Sequence, residues 1–429
     1  MVRLQGEVGL IVSSILINSI NMDQAHIGPT LSAAEAAARL GVTRQTLYAY
    51  VSRGLVRAQP GPSTRESRYL TEAVDRLAEQ RASGRKPKAV ARAALNWGAP
   101  VLSSAIATIE DGHLYYRGQD AVVLARSTAL EAVAALLWDV PAGAAFGGPP
   151  PALPESRGSA SDPEANELLV HFAAATGDDR TALWQMDSAK IAAGCGALLR
   201  TQAACLLGTV PSTAPVHEQC AIAWGLDAAG ADLVRAALVL CADHELNTSS
   251  FTARCVASTG ASLRAAVIGG LVALSGPRHG GTTSRIEAFW DTLDAAPRPE
   301  TVVRQHLAGG DAIPGFGHAL YPDGDVRATA LLGPILPYRP AWQTWIGQIV
   351  TLTGQHPTID YALVALRRHL QLPRGAAFGL FALGRSVGWI AHALEQRADP
   401  HPIRPRAVYT GQPTRRIQSP ATATASRAF

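Results

Sequence analysis

Apolar residues recur three and four positions apart along most of this chain, the spacing that places side chains on one face of an α-helix. Residues 363–370 and 387–394 follow it closely, and from residue 168 onward such segments succeed one another, separated by Gly and Pro. We find neither a long alternation of apolar and polar residues nor an internal repeat. The pattern predicts a mainly α-helical fold.

Near the start of the chain, a second pattern predicts two short helices. Residues 32–35 read Ser-Ala-Ala-Glu, a capping box that begins a helix. Gly41 predicts the turn that follows, and the next helix is predicted over residues 44–53. Two short helices joined by a Gly-containing turn form a helix-turn-helix.

The residues after these helices predict a wing. Turn formers at 60–63 are followed by the polar, basic run 65–69, which predicts a β-hairpin. Residues 72–81 have the spacing of a closing helix. We therefore predict a small winged helix-turn-helix domain over residues 28–82.

Composition changes along the chain and suggests further boundaries. The apolar stretch 8–20 is too short to span a membrane and lacks a cleavage pattern, so no membrane partner is predicted. We place residues 1–27 outside the fold as an N-terminal extension. The remaining boundaries are a linker at 83–97, a Pro/Gly-rich long loop at 141–166, and a flexible tail at 412–429.

Charge is distributed unevenly between the two parts. Of the 429 residues, 47% are apolar and 6% aromatic, as in a helical globular protein, and the net charge is +4. Residues 28–100 hold 12 Lys/Arg and 5 Asp/Glu, a net of +7 that leaves about −3 for the rest. This asymmetry predicts an anionic partner for the front part alone.

The cysteines predict no covalent framework. There are five of them, no pair has CxxC spacing, and neither a disulfide set nor a zinc site is predicted. They read as small buried apolar side chains in a reducing cytoplasm, which is the compartment that we expect for this protein.

Polar and basic side chains in the front part suggest DNA as the anionic partner. The second helix begins with side chains that can reach base edges in a major groove, and arginines of the wing can bind phosphates. This stretch resembles the winged helix-turn-helix of the excisionase and MerR-type families, which implies DNA binding. The alternative is a helical hairpin used for packing or protein contacts. The DNA-binding candidates are Arg44, Gln45, Tyr48, Arg65 and Arg68.

The body carries several short motifs that combine His, Asp and Arg with Gly. Each taken alone fits a structural role, such as a helix cap or a tight turn. In chain order they are Ala-Asp-His-Glu at 242–245, Gly-Pro-Arg-His-Gly-Gly at 276–281, Gly-Phe-Gly-His at 315–318, Asp-Val-Arg at 325–327, Asp-Tyr at 360–361, Gly-Arg-Ser-Val-Gly-Trp at 384–389 and Arg-Pro-Arg at 404–406.

In their order and spacing these motifs resemble the citrate synthase family. The resemblance runs from about residue 98 to residue 411. It implies a two-domain helical fold, with a large domain from residues 98–281 and 385–411 and a small domain from residues 282–384. It also implies an acyltransferase that condenses acetyl-CoA with oxaloacetate and water to citrate and CoA.

This reaction requires a base, a donor for an enolate and an acid. Asp360 is the candidate base for the weakly acidic acyl carbon. His279 is the candidate neutral donor to the enolate oxygen, and His318 the group that polarises the ketone and protonates the new alkoxide. Asp243 and Glu245, on either side of His244, are expected to be structural.

The resemblance further implies a set of substrate-binding groups. Bidentate arginines suit the two carboxylates of oxaloacetate, with a histidine as an additional donor. These groups are Arg327, Arg385, Arg404 and His244. In the family, the arginine of the Arg-Pro step crosses from the neighbouring subunit, which implies a homodimer that shares Arg404. Backbone around Pro314, Gly315, Phe316 and Gly317 is expected to hold CoA.

Two positions depart from the family pattern, and two other functions stay open. Val326 replaces the usual proline, and Thr282-Thr283 follow the Gly-Gly step where an Asn is common. Neither departure removes a reacting group, and no metal or redox cofactor is expected. The alternatives are 2-methylcitrate synthase, which uses propionyl-CoA, and a DNA-binding regulator that keeps the fold as a metabolite sensor.

Overall fold

The structure, a computed structural model, divides into two compact units. The larger is Leu102–Arg404, and the described residues 30–75 belong to the smaller. Described are residues 30–52, 56, 58–60, 67–71, 74–75, 102–152, 165–174, 179–399, 401–405 and 410–411. The predicted extension 1–27, linker 83–97 and tail 412–429 lie outside them. The large and small domains with boundaries at 281 and 384 stay a prediction.

Helices make up most of the second unit, as the apolar spacing predicted. They are α3 Ala121–Leu124, α4 Leu130–Trp138, α5 Ala142–Phe146, α6 Ala165–Ala174, α7 Ser188–Leu207, α8 Val216–Trp224, α9 Ala228–Leu240, α10 Thr248–Ser258, α11 Leu263–Leu274, α12 Thr282–Ala295, α13 Pro299–Ala308, α14 Val326–Leu332, α15 Pro340–Thr353, α16 Ile359–His369 and α17 Ala376–Arg397. Short 3₁₀ turns lie at Asp179–Thr181 and Leu336–Tyr338.

Helix α17 is the centre of this unit. It packs against α10, α11, α9 and α4, and it contacts α16 and α7. It is long and apolar enough to cross a membrane, but 94% of its most apolar window is buried inside the protein. Such burial is that of a core helix, and no other described helix passes the same test of length and apolar character.

A small sheet in the second unit was missed by the sequence analysis. Strands β4 Ala107–Glu110, β5 His113–Tyr116 and β6 Gln119–Asp120 form an antiparallel sheet in that order. Asp111 and Gly112 make the turn with φ of 50° and 75°, and an Asp-Gly pair is a strong hairpin signal. The hairpin is short, so an alternating pattern had only four residues per strand in which to show itself.

The segment 141–166, predicted as a long loop, contains a helix. Pro141 is the N-cap of α5, and Phe146 stacks on Trp138 with ring centroids 5.8 Å apart. Gly196 of α7 lets the Ala145 carbonyl approach closely, since a Cβ there would lie 2.0 Å from it. Packing therefore orders a stretch whose composition suggested a loop, while residues 153–164 lie outside the described chain.

The described residues of the first unit form two helices and a three-stranded sheet. The helices are α1 Ala33–Leu40 and α2 Arg44–Ser52, and the antiparallel strands β1 Thr30–Ser32, β2 Ala58–Pro60 and β3 Ser67–Leu70 lie in the order β1-β3-β2. The Ser32–Glu35 capping box is present, and Gly41 has a left-handed φ of 61°. The tip of the predicted hairpin, residues 61–66, and most of the predicted closing helix lie outside the described residues.

Candidate active site

Five helices of the second unit and one loop bring the predicted site residues toward one region. His244 follows the C-terminus of α9, and His279 precedes α12. Arg327 and Asp360 lie in the first turns of α14 and α16, while Arg385 lies within α17. His318 lies in the loop that leads to α14. Since these helices pack together, residues far apart in sequence share one charged environment.

His244 and His318 meet around a tyrosine that the sequence analysis did not single out. Their ring centroids are 5.3 Å apart, and Nε2 of His244 lies 3.0 Å from the Tyr321 hydroxyl. Burial and the positive charges of Arg327 and Arg385 lower the pKa of His244 well below its usual value. Burial and Arg327 also lower the pKa of His318. Both rings are therefore neutral at physiological pH.

Arg327 is buried and already paired within the protein. Its Nε and Nη2 donate to the two carboxylate oxygens of Asp325 at 2.9 and 2.8 Å. Asp325 is also the N-cap of α14 and accepts from the Ile359 amide at 3.0 Å, so it joins α14 to α16. Val326, where the family has proline, occupies the first helical position without disturbing this cap.

Arg385 is equally buried but has no carboxylate bonded to it. Its Nε donates to the Cys241 carbonyl at 2.8 Å, and Nη2 is buried without a hydrogen-bond partner among the described residues. Burial lowers its pKa and the charge of Asp243 raises it. An arginine with unfilled donors is able to bind an incoming carboxylate.

Asp360 is half-buried, and its Oδ1 is buried with no hydrogen-bond partner among the described residues. Burial raises its pKa to about 6, although the positive charge of Arg327 acts in the opposite direction. A carboxylate with a pKa near 6 is still mostly ionised at pH 7 and is a stronger base than an exposed aspartate. Such a group can accept a proton from carbon.

His279 is held by two residues of the adjoining helix. Its Nε2 lies 2.9 Å from the Ser249 hydroxyl, which also lies 2.9 Å from Oδ1 of Asn247, the N-cap of α10. Burial, and then the charge of Arg385, lower the pKa of His279 to about 4. The ring is therefore neutral, and a neutral imidazole can donate one hydrogen bond to an enolate. An N-capping Asn two residues before a Ser was the only sequence signal for this support.

The segment 314–317 is partly buried, with Gly317 exposed. Pro314 and Phe316 are buried, and Gly315 and Gly317 have left-handed φ of 79° and 81°. A Cβ at Gly315 would lie 2.8 Å from Ile286 and 3.0 Å from Tyr361. Internal packing and a left-handed φ together require glycine at position 315. CoA binding by this segment stays a prediction, and it would use backbone groups.

Arg404 stands apart from the other predicted substrate-binding groups. It is exposed at the end of the second unit, and no contact recorded for the described residues joins it to His244, Arg327 or Arg385.

The predicted DNA-binding residues lie in the first unit. Arg44 and Tyr48 are exposed one helical turn apart on α2, with Leu47 buried behind them. Arg68 is half-buried on β3. The side chain of Gln45 and the whole of Arg65 lie outside what the structure describes.

Within the described ranges, no group of three or more His, Cys, Asp or Glu side chains is arranged to hold a metal ion.

Comparison with known proteins identifies the family of the second unit. A family model of the citrate synthase C-terminal domain matches residues 178–406, more than half of the chain. The chain therefore belongs to the citrate synthase family. Its fold is that of citrate synthase structures from Thermotoga maritima, with a TM-score of 0.60 and 24% identity over 75% of this chain and 96% of that one. A ternary complex of the Thermoplasma acidophilum enzyme with carboxymethyl coenzyme A and oxaloacetate has a similar fold, with a TM-score of 0.61. Its sequence identity is 21%, and the match covers 75% of this chain and 97% of that one.

Curated relatives include two kinds of enzyme. Citrate synthase 2 of Bacillus subtilis is 34% identical over 184 residues, which cover 41% of this chain and 50% of that protein. 2-Methylcitrate synthase 2 of Corynebacterium glutamicum is 29% identical over 189 residues, which cover 42% of this chain and 49% of that protein. The chain spans about half the length of the curated relatives it matches.

The raised pKa of Asp360 predicts a stabilising substitution. A carboxyl whose pKa is higher folded than unfolded destabilises the protein when ionised, fully above pH 6 and not at all below about pH 4. Asp360→Asn should therefore increase the free energy of unfolding at pH 8 by up to about 3 kcal/mol, with a smaller gain at pH 5. Urea unfolding at both values measures this. The exposed Asp323→Asn should change neither, and an Asp360→Asn variant no more stable than wild type at pH 8 would contradict the burial cost.

Proposed function

We propose that this protein condenses acetyl-CoA with oxaloacetate and water to form citrate and CoA. The observation that carries the proposal is the Asp360 carboxylate, whose Oδ1 is buried and unbonded among the described residues and whose pKa is raised in the charge field of two buried arginines. Neutral histidines in the same charge field supply the other groups that such a condensation requires. Membership of the citrate synthase family supports the same chemistry.

In the proposed mechanism Asp360 removes a proton from the methyl group of the thioester. Negative charge moves to the thioester oxygen, where His279 donates a hydrogen bond. The enol carbon attacks the oxaloacetate ketone, and His318 gives a proton to the alkoxide that forms. Water then cleaves the citryl thioester and releases CoA. Acid–base groups and the substrates supply every proton and electron pair, so the reaction needs no metal or redox cofactor.

Arg385, Arg327 and His244 are the proposed binding groups for oxaloacetate. Arg385 offers unfilled donors in a buried position, which favours a bidentate bond to a carboxylate. Arg327 shares its charge with Asp325 and so contributes a weaker field. His244, held by the Tyr321 hydroxyl, is a neutral donor or acceptor for a third polar atom of the substrate. The backbone of 314–317 is the proposed CoA contact.

A CoA-release assay tests the reaction. Wild type should release CoA when oxaloacetate and an acyl-CoA are both present, and Asp360→Ala should lower kcat by about 10²- to 10⁴-fold because the base is lost. Asp323→Ala, which removes an exposed carboxylate nearby, should match wild type. No release with either acetyl-CoA or propionyl-CoA, or an Asp360→Ala variant as fast as wild type, would refute the proposal.

The second candidate is 2-methylcitrate synthesis from propionyl-CoA, which the Corynebacterium glutamicum relative favours. One methylene in a pocket changes kcat/KM by about 10- to 200-fold, so the ratio of kcat/KM for the two acyl-CoAs in the same assay chooses between them. We propose that acetyl-CoA is the preferred substrate. We also propose that the protein acts in the cytoplasm and has no membrane partner.

We further propose a homodimer in which Arg404 serves the active site of the partner subunit. Its exposure, apart from the other binding groups, supports this role. Asp360→Ala and Arg404→Ala proteins should each be inactive, and subunits mixed by refolding or co-expression should recover about a quarter of wild-type activity. Half of a statistical mixture is heterodimer, with one intact site of two. If Arg404 acts within its own subunit, the mixture stays inactive.

For the first unit we propose DNA binding through α2 as a winged helix-turn-helix domain. Arg44 and Tyr48, exposed on one face of α2, and the net charge of +7 over residues 28–100 support it. The alternative for the whole chain is a DNA-binding regulator that uses the citrate synthase fold as a metabolite sensor. The helical hairpin used for protein contacts is the alternative.

A gel shift of the full chain on random-sequence duplex DNA tests this proposal. Arg44→Ala should weaken binding by roughly tenfold. If Arg44 contacts a phosphate, the substitution should also reduce the slope of log K against log salt concentration by about one. Arg126→Ala removes the same charge from an exposed position in the second unit and should leave binding unchanged. Equal effects of the two substitutions, or no binding at low salt, would argue against a DNA-binding face on α2.

A further inference from the structure

The turn formed by residues 318–321 carries one histidine of the site and supports another. The Tyr321 amide donates to the His318 carbonyl at 3.0 Å, which closes the turn. Within it, the Leu320 amide donates to Nδ1 of His318 at 3.2 Å. A ring nitrogen that accepts a hydrogen bond carries no proton, so the proton of the neutral His318 ring lies on Nε2. The backbone of the turn thus makes His318 a donor through Nε2.

The side chain at the end of this turn contacts the second histidine. The Tyr321 hydroxyl lies 3.0 Å from Nε2 of His244, and the ring centroids of these two residues are 5.5 Å apart. The Tyr321 centroid also lies 5.2 Å from that of His318 and 5.3 Å from the guanidinium carbon of Arg327. Tyr321 is buried. These contacts restrict its ring and hold its hydroxyl at His244.

The chemistry of the hydroxyl decides the direction of its hydrogen bond. Burial raises the pKa of Tyr321 to about 12, so the hydroxyl keeps its proton at physiological pH. Among the described residues, Nε2 of His244 is the one hydrogen-bond partner of this hydroxyl. If the hydroxyl accepted from Nε2 instead, its own proton would have no acceptor among the same residues, which is costly in a buried position. Donation from Tyr321 to Nε2 is therefore favoured, and it leaves the proton of neutral His244 on Nδ1.

This arrangement of protons matches the proposed substrate. The two carboxylates and the ketone of oxaloacetate offer only acceptors, so a neutral histidine binds them through the nitrogen that carries its proton. Nε2 of His244 is engaged by Tyr321, and Nδ1 makes no hydrogen bond among the described residues. Nδ1 is thus the nitrogen left for the substrate. One turn places the protons of two histidines on opposite ring nitrogens, Nε2 in His318 and Nδ1 in His244.

We propose that Tyr321 is a positioning residue: its hydroxyl donates to Nε2 of His244 and so keeps the proton of that ring on Nδ1, from which His244 donates to an oxygen of the 2-oxo acid. This inference rests on the proposed function and deepens it, because it gives the bond between His244 and the substrate a direction. Tyr321 touches no substrate in this scheme and acts through His244.

The first test is the tautomer of each histidine in the full chain without substrate, read from the side-chain nitrogen NMR shifts of isotopically labelled histidines. We expect the proton on Nδ1 in His244 and on Nε2 in His318. In Tyr321→Phe, the His244 proton should move wholly or partly to Nε2, because its partner is lost. His318 is the internal control and should be unchanged, because the Leu320 amide remains. Loss of general stability would not move the tautomer of one histidine alone.

The second test measures oxaloacetate binding by calorimetry together with KM and kcat. Tyr321→Phe should raise Kd and KM for oxaloacetate by roughly tenfold, as expected for the loss of one buried hydrogen bond, with kcat changed less than about threefold and KM for the acyl-CoA unchanged. Tyr116→Phe is the matched control. It removes a buried hydroxyl that bonds the Val239 and Leu240 carbonyls, and it should lower the melting temperature without changing the His244 tautomer or Kd.

Two replacements of His244 keep the test informative if Tyr321→Phe does not fold. The amide nitrogen of Asn can take the place of Nδ1, and that of Gln the place of Nε2. His244→Asn should therefore bind oxaloacetate more tightly than His244→Gln, by roughly tenfold.

The outcomes distinguish this inference from the proposed function. A wild-type His244 with its proton on Nε2, an unchanged tautomer or Kd in Tyr321→Phe, or binding by His244→Gln as tight as by His244→Asn overturns the inference alone. Wild type that binds oxaloacetate but releases no CoA overturns the proposed reaction, and it leaves the inference standing if Tyr321→Phe shifts the tautomer and weakens binding. Wild type that binds no oxaloacetate overturns both.

Discussion

The burial of two guanidinium groups is the constraint on which the rest of the site depends. A charge removed from water costs several kcal/mol unless the protein compensates for it. Arg327 is compensated by two direct bonds from Asp325, which also ties α14 to α16. Arg385 is compensated by a carbonyl and by the nearby charge of Asp243. The packing of α9, α14, α16 and α17 is therefore also an arrangement of charges.

The same charges set the protonation of the reacting groups. Burial and the arginines keep three histidines neutral, so each can donate or accept a hydrogen bond without adding charge. Asp243 and Asp325 already balance the two arginines, so Asp360 is a third carboxylate in a region that holds two cations. Burial dominates its titration, and a pKa of about 6 follows. The protein keeps an unfavourable ionised group in the place where the proposed reaction needs a base.

Part of this arrangement could be predicted from sequence. Helical spacing predicted the mainly α-helical second unit, and the order of short motifs indicated which His, Asp and Arg side chains share a site. The contacts that hold them could not be read. Gly388 and Gly315 look alike in sequence, yet one admits a carboxylate and the other a tyrosine. The hairpin around Asp111 was missed because its strands are short, and the helix after Pro141 because its packing on α4 and α7 is not visible in the local sequence.

The support of His279 depends on a single proton that two groups can accept. Asn247 Oδ1 accepts from the Ser249 and Ser250 amides, which identifies it as the oxygen and a pure acceptor. The Ser249 hydroxyl can therefore donate either to this oxygen or to Nε2 of His279. When it donates to Nε2, the neutral ring carries its proton on Nδ1; when it donates to Asn247, Nε2 must carry the proton and Nδ1 becomes an acceptor. Only the first arrangement lets Nδ1 donate to an enolate oxygen. Donation by Nδ1 to the enolate therefore requires the Ser249 hydroxyl to turn its proton from Asn247 Oδ1 to Nε2 of His279.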